Sequence, residues 1–261
     1  MSRLACLWLL LPASASADFV TLDRLDASPD VGVEASYVRR VSPFDHMVAR
    51  LDVHGHWSHP ELGVGGYLVA PFKYNSHEDV EFEVQNIELG GFYVRTVAPR
   101  WQLVARVGVG LPTGDARYYI DSVGELDPHV IAALARPADM ATQFDARTTA
   151  RAGISAVFDA ERLFGRVDLG VDRVFTDDRR TVLRAGAGVG VAVQRVALMG
   201  ELAILDHSEE TDGPYVLGAL AARFDLGTVR PYAAVVVPFD DASQRRIDVA
   251  ITVGADVSIP D

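Results

Sequence analysis

Asp52, His54 and His56 follow one another at two-residue intervals, and in an extended strand that spacing sends all three side chains to one face. Two imidazoles and a carboxylate are donors that a zinc ion accepts. Arg50 lies on the same face, however, and a hydrated row of mixed charge needs nothing beyond these four residues. His46, His59, His77, His129 and His207 share no fixed spacing with the pair, so no metal is expected. Ser155 sits on the polar face of its own segment, yet no histidine stands at a recognisable distance and the Gly-x-Ser-x-Gly elbow of a hydrolase is missing. The glycines of 108–110 and 186–190 have the composition of a phosphate loop. A dinucleotide site joins a strand to a helix, whereas these glycines fall within strands. The chain reads as neither an enzyme nor the holder of a cofactor.

The polar faces carry a second pattern, ionic rather than catalytic. Glu34, Asp52, Glu88, Asp168, Asp172, Glu201 and Asp248 share the parity of Arg50, Arg106, Arg151, Arg166, Arg184 and His54. Such side chains either pair across neighbouring strands and fill a barrel, or line a pore through it.

These faces exist only if the chain is built from strands, and the alternation says that it is. Met47, Ala49, Leu51, Val53 and Trp57 oppose Arg50, Asp52, His54 and His56, and the pattern recurs about a dozen times. It places strands near 31–40, 46–57, 62–71, 84–95, 102–112, 148–158, 163–174, 181–194, 196–205, 214–224, 229–238 and 246–258. Each approximates the ~9–11 residues of a tilted membrane strand. One face must meet hydrocarbon and the other charge, which a lipid-embedded barrel with a polar lumen provides. The fold expected is therefore all-β: a single antiparallel up-and-down transmembrane β-barrel of about 12 strands, with both of the arrangements above open at that width.

Connection lengths sort by parity. The even-to-odd links 58–61, 96–101, 159–162, 195 and 225–228 are short; the odd-to-even links 72–83, 113–147, 175–180, 206–213 and 239–245 are mostly longer and more polar, with 41–45 the short exception. Outer-membrane barrels alternate short periplasmic turns with long extracellular loops in this way, and a soluble sandwich has no reason to. Trp57, Trp101, Phe158 and Phe164 fall at the proposed periplasmic ends, and Phe72, Tyr74, Phe82, Phe175, Tyr215 and Phe239 at the outer ends, as two interfacial girdles would. Three outward-running strands are expected to end at a proline, Pro71, Pro112 or Pro238, which removes a ladder donor. Within the longest loop, 127–136 has an Asp cap, Pro at the first helical position and a Val130, Ile131, Leu134 stripe, so a helix packed on the rim is expected there.

At the N-terminus Arg3, the apolar run 4–11 and Ala15-Ser16-Ala17 have the layout of a cleaved secretory signal, giving residues 1–17 as signal peptide and 18–261 as one barrel domain. Cys6, the one cysteine, lies inside that segment. A net charge of -12 argues against a nucleic-acid surface.

Gly108-Val109-Gly110-Leu111-Pro112-Thr113-Gly114-Asp115 resembles a segment of small bacterial outer-membrane barrels grouped as phenol-degradation meta-pathway proteins, distantly akin to fatty-acid-transporter barrels. Thr252, Gly254, Val257 and Ile259 are similar to the last-strand signal of such barrels, without its terminal aromatic. The resemblance implies the outer membrane of a Gram-negative bacterium. Outer-membrane lipids, lipopolysaccharide and the assembly machinery would be partners, and the function that of a channel or transporter for small molecules, hydrophobic ones included. A structural or surface-interaction barrel with a plugged lumen is the alternative.

Overall fold

The computed structural model describes residues 19–22, 24–25, 28–40, 47–59, 61–75, 81–114, 134–143, 147–160, 162–175, 180–207 and 213–259. Its strands are β1 (Asp30–Arg40), β2 (Met47–Ser58), β3 (Val64–Asn75), β4 (Glu81–Val84), β5 (Glu88–Ala98), β6 (Trp101–Gly110), β7 (Thr149–Ala160), β8 (Leu163–Val174), β9 (Thr181–Val193), β10 (Val196–His207), β11 (Tyr215–Phe224), β12 (Val229–Pro238) and β13 (Ile247–Ser258). A one-turn helix, α1 (Asp241–Gln244), precedes β13.

Strands that follow one another pair antiparallel except β4 and β5, which both pair with β3; β1 pairs with both β2 and β13 while β2 pairs with β3, so the sheet closes into a barrel. Closure leaves no unpaired edge, the condition for a sheet to stand in lipid. Twelve strands make the ring, and β4 is a short piece ahead of β5. The segment expected as one strand over 84–95 is split because β3 carries Pro71. That residue has no N–H to give, and three residues, 85–87, pass opposite Ala70 and Pro71. The Gln85 amide still reaches the Pro71 carbonyl at 2.9 Å, but the Asn86 amide turns to the carbonyl of Thr142. β3 itself runs on to Asn75 instead of ending at its proline.

The alternation sorts the side chains as a membrane barrel requires. Val107, Val189 and Leu220 (74% exposed) face outward, while Arg106, Arg184 and Glu201 are buried in the interior. An exposed apolar band of this extent is stable only against hydrocarbon. Trp57, Trp101, Phe175 and Phe239 remain exposed near the rims, and Phe158 packs beside Trp101. Phe164 and Tyr215 depart from the expected girdles: each sits on an inward position and is fully buried. Residues 1–17 and most of the helix expected over 127–136 lie outside the described residues; its last turn, Leu134 and Ala135, is helical and buried.

Candidate functional site

Among the described residues, two segments that belong to no strand enter the lumen. Residues 19–22, 24 and 25 lie along one side of it, with Phe19, Val20, Leu22 and Leu25 buried against Phe92, Val94, Val104, Val157 and Phe164. These wall residues come from the halves of β5, β6, β7 and β8 next to the short turns. Residues 134–143, ending in a 3-10 segment (Pro137–Gln143), enter from the long-loop side. Leu134 and Ala135 meet a second apolar cluster with Leu205, Tyr215, Leu217 and Val236.

Between the two apolar layers lies a belt of ion pairs. Arg50 Nη2 contacts Asp52 at 2.8 Å, Arg151 Nη1 contacts Glu88 at 2.8 Å, and Asp172 takes both Arg151 (3.0 Å) and Arg184 (2.8 Å). Arg166 donates to Asp168 at 2.7 Å and to the Ser155 hydroxyl at 2.8 Å. Asp139, carried inward on the 3-10 segment, is shared by Arg136, Arg50 and Arg151. Burial acts to raise the Asp139 carboxyl, but Arg136, Arg50, Arg24 and Arg151 outweigh it and hold the group well below the usual carboxylate range.

Towards the short turns the pairs continue. His54 Nε2 meets Asp256 at 3.0 Å and His56 Nδ1 meets Asp30 at 3.0 Å, so the two imidazoles engage different carboxylates on different strands instead of converging on one point. Arg24 contacts both His54 and Glu34, tying the inner segment to the wall.

Of the residues singled out by parity, Arg50, Asp52, His54, Arg106, Arg151, Arg166, Asp168, Arg184 and Glu201 project into this interior. Asp248 does not. The ladder between β1 and β13 shifts after Arg39, with Arg39 opposite Val249 and Arg40 opposite Ile247, so Asp248 points out of the barrel and pairs with Arg39 at 3.7 Å. A single bulge reverses the parity of every residue beyond it, and no sequence signal marked this one. Sequence reasoning also missed Arg24, Arg136 and Asp139, because all three lie on segments without strand periodicity.

The solved structures similar to this chain include three outer-membrane channels. The chain matches the COG4313 outer membrane channel from Pseudomonas putida F1 with a TM-score of 0.64 at 11% identity, covering 93% of this chain and 99% of that one. The KdgM porin (TM-score 0.54, 11% identity) and the NanC porin (0.53, 12%) are each covered completely by 88% of this chain. The fold is that of an outer-membrane β-barrel. At these identities the likeness concerns the fold alone. No protein-family model and no curated sequence matches the chain.

Proposed function

We propose that this barrel is an outer-membrane channel for small apolar molecules, closed in the conformation described by residues 19–25. The observation that carries the reading is the hydrocarbon patch on the β5–β8 side of the lumen, Phe92, Val94, Val104, Val157 and Phe164, covered by a segment outside the ladder. A wall of that character suits apolar solutes, and a stopper held by side chains can leave without breaking the barrel. The resemblance of Gly108 to Asp115 to the phenol-degradation group agrees with small aromatic solutes, and the length parity of the loops with long loops facing the medium. The fold of the porins and of the COG4313 channel is compatible with a passage.

The belt of arginine–carboxylate pairs favours a second reading, a structural barrel whose lumen never opens. Planar-bilayer recording separates the two. Wild-type protein should conduct little, and Glu201→Ala, which removes the acceptor of the Val20 and Thr21 amides, should raise conductance and make the current sensitive to small aromatic solutes. A folded, inserted Glu201→Ala protein that stays silent would leave the structural reading.

A further inference from the structure

Glu201 is a buried carboxylate of β10 that makes no ion pair among the described residues. The donors that reach it are the amides of Val20 (2.9 Å) and Thr21 (2.6 Å) and the Thr21 hydroxyl. The acceptors on the same segment are read by arginines: Arg136 donates to the carbonyls of Val20 and Leu22, and Arg166 to that of Leu25 at 3.1 Å.

The side chains of the segment are received with equal specificity by β9. A Cβ added to Gly188 would stand 2.5 Å from the Phe19 ring, and one added to Gly186 would stand 2.4 Å from a Leu22 methyl. The two glycines are therefore hollows, one taking an aromatic ring and the other an aliphatic group. Inward positions 186 and 188 are neighbours on one face of the strand, so they engage the residues at i and i+3 of the segment.

The segment is thus held as a ligand would be, by side-chain donors and acceptors and by shaped hollows, with no strand of its own to pair with. We propose that this side of the lumen is a binding site for short, uncharged, apolar peptides, which residues 19–22 occupy as an internal ligand. The proposal rests on the channel reading in one respect, that the segment leaves the lumen. Its departure strips Glu201 of its donors inside an apolar wall, which is costly. A molecule that restores two adjacent N–H groups, a nearby carbonyl, an aromatic ring and an aliphatic side chain removes that cost, whereas a bare hydrocarbon does not. Specificity for amide chemistry follows from the polar groups that an unsuitable solute would leave unpaired.

The test uses full-length protein folded in detergent micelles and the peptide N-acetyl-Phe-Val-Thr-Leu-amide, with binding measured by calorimetry and folding checked by heat-dependent electrophoretic mobility. In wild type the tethered segment competes at an effective concentration of about millimolar. Phe19→Ala, with Leu22→Ala as a second variant should the first not fold, weakens that competitor, and the peptide should bind about tenfold more tightly or better. Adding Glu201→Ala should reverse the gain by about tenfold or more. Adding Gly188→Ala should abolish the preference for phenylalanine over alanine at the peptide's first position. Equal affinity in wild type and both weakened variants, or indifference to Glu201→Ala, would overturn the site. Bilayer currents are recorded in parallel. Peptide binding without any current upholds the site and removes the channel reading, whereas current through a released barrel that ignores the peptide removes the site alone.

Discussion

Asp139 and Asp240 are two carboxylates held below their ordinary range for different reasons, and their substitution should have different consequences. Asp139 owes its state to the arginines it bridges, and Asp139→Ala leaves Arg136, Arg50 and Arg151 sharing fewer buried anions. Breaking a buried pair from one side costs ~3–5 kcal/mol; urea unfolding of the lipid-inserted barrel should show a loss of that order, towards the lower end because each arginine keeps a second carboxylate. Asp240, outside the wall, caps α1. Burial acts to raise it, but the Ser243 hydroxyl and the amides of Val216, Ser243 and Ala242 prevail and hold it low. A carboxyl lowered on folding contributes stability that is complete above the ordinary carboxylate range and lost as pH falls through its lowered value. Unfolding midpoints should fall with acidification in wild type, and Asp240→Asn should remove that part of the dependence. A variant with an unchanged acid limb would show that the cap contributes no such linkage.

At the scale of the element, β6 and β9 show why strict alternation is needed. Val107 faces lipid between the inward Arg106 and Gly108, and an arginine placed at 107 should cost ~2–4 kcal/mol if its level is the bilayer midplane. The neighbouring position is limited differently: a Cβ at Gly108 would meet the Tyr67 hydroxyl, which donates to Glu88 at 2.6 Å. Gly108→Ala should therefore disturb an interior hydrogen bond without affecting insertion. Folding yields into lipid vesicles for the two variants should diverge, with Val107→Arg the poorer inserter. Equal yields would contradict a lipid face at β6. Asp248 illustrates the converse, since one ladder shift between β1 and β13 turned an expected lumen residue out to the surface.

For the whole molecule the relevant quantity is charge. Among the described residues the buried arginine and lysine side chains number nine and the buried aspartate and glutamate side chains eight, although the chain as a whole carries -12. The interior is close to neutral, and most of its charges are paired within or across strands. A pore opened by release of residues 19–25 should accordingly be only weakly ion-selective, because selectivity follows the net field of the lining. Reversal potentials in a salt gradient across a bilayer containing Glu201→Ala measure this directly. A strongly cation-selective current would mean that the acidic excess outside the lumen governs entry instead.

Most of the wall was legible from the amino acids themselves. Period-two alternation, the parity of loop lengths and the rim tryptophans specified strands, their number and their two faces, because a lipid barrel sets the same local condition at each strand and each strand must meet it independently. Arg50, Asp52, Arg106, Arg151, Arg166, Arg184 and Glu201 could be assigned inward for that reason. Which segments enter the lumen was decided only in three dimensions. Residues 19–25 and 134–143 have no repeating environment to leave a period in the sequence, so Phe19 in the hollow of Gly188 and Asp139 among its arginines could not be foreseen. Their positions depend on groups brought together from distant strands, Glu201 meeting Thr21 across 180 residues of chain. Strand faces are a local property, and the contents of a closed barrel arise only when the last strand meets the first.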